Sequence, residues 1–169
     1  TFGLSGCRRP GSAPRHLPDF NLTAVTAAQT RSVQRADFLG KVWIVSFMFT
    51  RCHGPCPINS ARMAQLQGRL PPAIKLATFT VDPKHDQAEA LGAYAKLFHA
   101  DADRWLFLTG PSEESLIPLF KDTFQTAYRA NPRSACGYET YHSAKFFLMD
   151  RAGAIRGEYD SEQTAQMQQ

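Results

Sequence analysis

An apolar run, Val42 to Phe49, leads straight into Thr50-Arg51-Cys52-His53-Gly54-Pro55-Cys56-Pro57. Its Val, Ile, Phe and Trp residues suit a central strand covered on both faces. A helix-like segment follows, with Ile58, Met63, Leu66 and Leu70 at near-helical spacing. Pro57 suits the first helical position, where its missing N–H is no loss. The chain is therefore expected to pass from a buried strand into a helix through a short turn that holds two thiols. Such strand ends are where sites gather in open α/β sheets. Two thiols there can form a reversible disulfide or hold a soft metal ion.

The remaining pattern alternates in the same way. Asp19 to Thr23 reads as a short edge strand, and Arg35 to Leu39 as a helical turn closed by Gly40. Lys75 to Val81 reads as a strand ending in Asp82-Pro83, Gln87 to Phe98 as a helix with Leu91, Tyr94, Ala95 and Phe98 on one face, and Trp105 to Leu108 as a strand. Ser112 is a good N-cap for a helix running to about Phe124. Phe124 to Tyr141 is irregular and reads as a loop or small hairpin. Ala144 to Met149 and Ile155 to Tyr159, joined by Asp150 to Gly153, read as a final hairpin. Strands alternating with helices make an α/β sandwich. A cysteine-bearing turn after the first long strand is the arrangement of the thioredoxin fold. The expected architecture is a central mixed sheet flanked by helices, with a hairpin or loop insertion before the last sheet strands.

At 169 residues the chain can form one sizeable core, and its net charge of +4 comes from scattered Lys and Arg. Scattered cations describe a solvated surface, not the clustered stripe of a nucleic-acid binder. No apolar run approaches the roughly 18–20 residues that span a bilayer. Leu4-Ser5-Gly6-Cys7 has the pattern of a bacterial lipoprotein cleavage site, with Cys7 as the lipidated residue and a Pro/Gly/Arg-rich linker behind it. Residues 1–18 are thus read as a signal remnant and linker, and 19–169 as the folded domain. The chain stops inside a polar, helix-prone stretch, Ser161 to Gln169, as a truncated C-terminus would. An acylated Cys7 would hold the domain outside the cytoplasmic membrane, where disulfides persist.

Cys52 and Cys56 lie one helical turn apart, so both sulfurs can face one side if the second begins the helix. A helix N-terminus favours the thiolate, which is both the nucleophile of disulfide exchange and the ligand for soft metals. His142 stands just before the strand at Ala144, whose start lies near the cysteine turn in a thioredoxin-like sheet. Two thiolates and an imidazole suit Cu(I) and, with a further donor, Cu(II). Zn(II) accepts the same donors but normally closes a structural site with a fourth protein ligand.

With Phe49-Thr50-Arg51-Cys52 through Cys56-Pro57, Val81-Asp82-Pro83 followed by Asp86, and His142-Ser143 before Phe146-Phe147-Leu148-Met149-Asp150 and Gly153, the chain resembles the SCO/SenC family. The resemblance runs from about Pro18 to Tyr159. It implies a thioredoxin-like fold, copper ligands at Cys52, Cys56 and His142, and a tethered domain at the outer face of the bacterial cytoplasmic membrane, in the periplasm. It also implies a role in assembling the dinuclear copper centre of cytochrome c oxidase. The implied partners are the oxidase's copper-bearing subunit and, besides it, other copper chaperones or thioredoxin-like reductants.

The chain departs from that family's pattern at His53-Gly54-Pro55, where the family often carries an acidic residue, and at Tyr141, where it commonly has Asp. Asp82 is a candidate for orienting the ligands from behind. Cys136 is an extra thiol. If the pair serves catalysis instead, Cys52 and Cys56 form the redox couple of a thiol–disulfide oxidoreductase.

Overall fold

The computed structural model describes residues 13–125, 128–130, 138–140 and 145–161. Seven strands form one mixed sheet in the order β2-β1-β5-β4-β3-β8-β9. In chain order these are β1 (Asn21–Val25), β2 (Thr30–Gln34), β3 (Val42–Met48), β4 (Ile74–Thr80), β5 (Trp105–Thr109), β8 (Lys145–Met149) and β9 (Ile155–Asp160). A separate hairpin, β6 (Tyr128–Ala130) with β7 (Tyr138–Thr140), occupies the segment expected to be irregular. The helices are α1 (Arg35–Phe38), α2 (Pro55–Arg69) and α3 (Ala88–Leu97). This is the thioredoxin-like architecture expected from the sequence.

Strands β3, β4 and β5 run parallel, with Phe47 level with Phe79 and Phe79 level with Leu108. β8 runs antiparallel to β3, with Val45 opposite Phe147. β3 therefore has a partner on each side and six consecutive buried residues, which explains its continuous apolar sequence. Register assigns the two faces. On one, Phe47 meets Phe79, Phe120, Phe124 and Phe147 at centroid distances of 5.0–6.0 Å, while Phe38 of α1 stacks on Trp43. On the other lie Ser46, Thr78 and Trp105, joined by a Ser46–Thr78 hydroxyl bond of 2.8 Å and a Trp105 indole N–H donated to Thr78. Tyr94 of α3 packs on Phe107 and bonds Ser60 of α2, placing both long helices on this second face.

Arg104 closes the far end of α2. It is nearly buried, and its guanidinium donates to the carbonyls of Gln67, Leu70, Pro71 and Ile74. These include the last carbonyls of the helix, which have no partner within it, so a cation placed there meets both their hydrogen bonds and the negative end of the helix dipole. Two turns need glycine: Gly40 after α1 and Gly153 between β8 and β9 have φ of 78° and 74°.

Four sequence expectations are corrected. β1 is not an edge strand, because β2 pairs along its outer side. β2 is hard to recognise, since Val33 is the one buried residue of Thr-Arg-Ser-Val-Gln, a polar make-up that protects a sheet edge. α2 begins at Pro55, not Pro57, which draws Cys56 into its first turn. Ile58, expected on the helix's buried face, is 55% exposed. The helix expected from Ser112 to Phe124 does not form as such; a π-helical turn, Leu119–Thr123, follows Pro118, whose ring and missing N–H interrupt an α-helix.

Among the described residues, Phe47 sits at the centre of the aromatic rings on that face, against Phe79, Phe120, Phe124 and Phe147. Phe47→Ala is expected to destabilise the domain by about 3–5 kcal/mol. Urea unfolding should show this as a lower midpoint at unchanged slope.

Candidate functional site

The cysteine loop is shaped before its thiols are considered. At the end of β3, Thr50 donates its backbone N–H and its hydroxyl to Asp86, and Thr80 at the end of β4 donates its hydroxyl to the same carboxylate. Asp86 is wholly buried, and burial raises its pKa even though these donors oppose the shift. A second buried carboxylate, Asp82, receives Arg51 at 2.8 Å and His85 Nδ1 at 2.8 Å. Arg51 and His85 also meet each other at 2.8 Å. The turn is closed by backbone bonds from His85 and Asp86 to the Asp82 carbonyl. One carboxylate thus ties the two parallel strand ends together, and the other fixes the residue just before Cys52.

The thiols themselves are free and unequal. Cys52 is 7% exposed and Cys56 1%. Cys52 receives a hydrogen bond from the Cys56 thiol, and backbone N–H bonds from Cys56 and Gly54, with His53 adding a positive field. Against the cost of burial, these donors lower its pKa to about 6. Cys56 moves the other way. Its proton is committed to Cys52, burial penalises its charge, and the Cys52 thiolate repels a second one. The arrangement is that of one nucleophilic sulfur near the surface and one protonated sulfur beneath it. The start of α2 supplies the N–H groups that stabilise the anion, as a helix N-terminus should. Tyr94 lies beneath, its hydroxyl 3.0 Å from Ser60 and its pKa raised mainly by burial, with the thiols and Asp86 adding to the shift.

The structure therefore brings Cys52 and Cys56 together and puts Asp82 behind the loop, acting through Arg51. His142, Cys7 and Cys136 lie outside the described residues. Among the described residues, no three His, Cys, Asp or Glu side chains gather to hold a metal ion. His53 is exposed beside Cys52. Sequence reasoning gave Arg51, His85 and Asp86 no role. The available signal was two carboxylates four apart just after a strand, facing Thr50 and Thr80 at the ends of two parallel strands.

Residues 9–168 match the SCO1/SenC family. The chain belongs to that family. Among curated relatives, a SCO1 homologue of Bacillus subtilis is 27% identical over 133 residues, covering 77% of this chain and 67% of the relative. The mitochondrial SCO2 homologue of Homo sapiens is 28% identical, and the match spans half of its length. Among solved structures, a SCO1/SenC family lipoprotein from Bacillus anthracis aligns with a TM-score of 0.76 at 29% identity, covering 91% of this chain and 89% of that one. The protein BsSco, described as a Sco family member with a disulfide switch and as belonging to the cytochrome c oxidase assembly proteins, aligns at 0.72 and 25%, covering 90% and 88%. The site of this SCO1/SenC protein thus stands on a fold shared with its relatives over nearly its whole described length.

Two outcomes follow for this family member. Alkylation of the reduced protein should titrate with a midpoint near pH 6, with modification at Cys52 and not Cys56, as peptide mapping would show. Asp86→Ala leaves three donors of Thr50 and Thr80 without their acceptor. The variant should lose about 2–4 kcal/mol of stability in urea unfolding, the range for breaking a buried hydrogen-bond network.

Proposed function

We propose that this protein is a copper chaperone in which the thiolates of Cys52 and Cys56 and the imidazole of His142 bind Cu(I) or Cu(II) for delivery to the copper-bearing subunit of cytochrome c oxidase. The observation that carries the reading is the asymmetric pair at the start of α2: Cys52 is already biased to its thiolate and Cys56 hydrogen-bonds to it. Copper is the cargo. A soft cation would take the Cys52 thiolate first and displace the Cys56 proton, so loading should release protons at neutral pH. Two sulfurs alone leave room for a third donor. β8 begins at Lys145, next to the end of β3 that runs into the cysteine loop. His142 is three residues away along the chain, a reach of about 10 Å. Arg51 and Asp82 hold the loop in shape, and Asp82 acts on the ligands through that contact. The domain boundary, read from the sequence as residues 19–169, is best moved back to Arg15, because Leu17 is buried in the core and Arg15 and Leu17 pair with Ile155 and Gly153. Cys7 is the lipid anchor, and the domain works at the outer face of the bacterial cytoplasmic membrane, exchanging copper or electrons with other copper chaperones or thioredoxin-like reductants.

A second reading, a thiol–disulfide oxidoreductase, is favoured by the same inequality of the thiols. The Cys52 thiolate would attack a partner disulfide, forming a mixed disulfide and expelling one partner thiolate. Cys56, after losing its proton, would then attack the Cys52 sulfur, forming the Cys52–Cys56 disulfide and releasing the second partner thiol. The partner gains two electrons and the protein loses two. Oxidation of the pair would also block copper binding, so the two readings are coupled.

Competition titration with a Cu(I) chelator separates them. The reduced parent should bind one equivalent, Cys52→Ser and Cys56→Ser should lose binding, His142→Ala should weaken it by 10-fold or more, and the oxidised protein should not bind. Parent-like affinity in His142→Ala and Cys52→Ser would remove the copper assignment. Rapid reduction of a model disulfide, unchanged in His142→Ala, would favour the oxidoreductase.

A further inference from the structure

The bonds around Asp82 leave one ring nitrogen unused. Asp82 is wholly buried, and its two carboxylate oxygens lie 2.8 and 3.0 Å from His85 Nδ1. A carboxylate only accepts, so Nδ1 carries the proton of the neutral ring and the free lone pair sits on Nε2. Among the described residues Nε2 has no hydrogen-bond partner, and the side chain is 39% exposed. An imidazole held through one nitrogen by a carboxylate and open at the other is built as metal-ligating histidines are, the carboxylate fixing the tautomer and raising the basicity of the free nitrogen. Arg51 donates to the same carboxylate at 2.8 Å, so its charge beside the ring is offset.

A second imidazole stands on the other side of Cys52. His85 touches Arg51, the residue before Cys52, and His53 is the residue after it. His53 is exposed and has no hydrogen bond or ion pair among the described residues. Its charge is felt at the Cys52 sulfur, which places the ring near the thiol. A Cβ added at Gly54 would meet no atom within 4 Å, so the loop has open room beside His53. Two solvent-facing imidazoles thus flank the more exposed of the two thiols, and neither has a part in the thiolate site.

We propose that His85 Nε2 and the His53 imidazole bind aqueous Cu(II) beside Cys52, forming an entry site separate from the thiolate pair. Cu(II) is the divalent first-row ion that imidazole donors hold most tightly, and water would fill the positions that two protein donors leave open. The binding itself needs no thiol. Its place in delivery rests on the copper reading above: the Cys52 thiolate replaces one imidazole, a Cu–S bond forming as a Cu–N bond breaks, and the metal keeps its oxidation state.

The test uses Cys52→Ser/Cys56→Ser, which removes the thiols that Cu(II) would otherwise occupy or oxidise. Titrated with Cu(II) chloride, this protein should take up one equivalent and show two imidazole nitrogens by pulsed EPR. Adding His53→Gln or His85→Gln, each with unchanged circular dichroism, should weaken binding about 10-fold or more, a loss seen even when only a ligand's supporting group is removed. Each should also leave a single imidazole in the spectrum. His99→Asn, exposed at the far end of α3, should bind as its parent does. Unchanged affinity, or an unchanged two-imidazole spectrum, in either His53→Gln or His85→Gln would overturn the proposal. The Cu(I) competition titration of the thiol-bearing parent tests the copper reading separately.

Discussion

The site depends on where two parallel strands stop. β3 and β4 run side by side for seven register pairs and end at Met48 and Thr80. Beyond that line the backbone must leave the sheet, and its polar groups need partners. Asp86 supplies them, taking the N–H and hydroxyl of Thr50 and the hydroxyl of Thr80 in one buried carboxylate. The strand ends are thereby held at fixed spacing, and the next residues, Arg51 and Cys52, start from a defined point. Asp82 then fixes Arg51. A loop containing Gly54 and two prolines would otherwise have many conformations. Here its entry is held by two carboxylates and its exit by the first turn of α2.

That mechanical arrangement also makes the thiols unequal. Because α2 begins at Pro55, the N–H of Cys56 is among the first of the helix and points without an internal partner toward Cys52. The same start carries the Cys56 side chain inward, where burial keeps its proton. A helix beginning at Pro57 would have left Cys56 outside the first turn. The difference of two residues in the helix start therefore decides which sulfur is the anion. It also gives the pair its linkage to pH: Cys52 loses its proton near pH 6, while Cys56 gives up its own only when something replaces it, whether a metal ion or a sulfur.

The parts of this fold legible in the sequence were those with a strong physical period or a strict local requirement. β3 announced itself by uninterrupted apolar residues, because both of its faces are covered. The turn at Gly153 was legible because its positive φ favours glycine. The cysteine spacing was visible because four positions make a helical turn. β2 was not visible: its one buried residue, Val33, cannot set a period. The π-helical turn was not visible either, since Ser112 and the following acids promise an α-helix that Pro118 prevents. Arg51 and Asp86 were recognisable as motif positions but not as mechanical parts, because Arg51 meets Asp82 and Asp86 meets Thr50 across 31 and 36 residues of sequence.

Arg104 illustrates how one residue can join these levels. In the sequence it is an unremarked cation between Asp103 and Trp105. In the structure it is almost buried without a carboxylate, a placement that is costly unless hydrogen bonds and a favourable field compensate. The carbonyls at the end of α2 provide both. The helix whose first turn stabilises the Cys52 thiolate is thus closed at its last turn by a guanidinium. Each end of α2 is matched to charge of the sign its dipole favours. The polarity of one helix accordingly runs through the domain, with the thiolate at one end and the buried Arg104 guanidinium at the other.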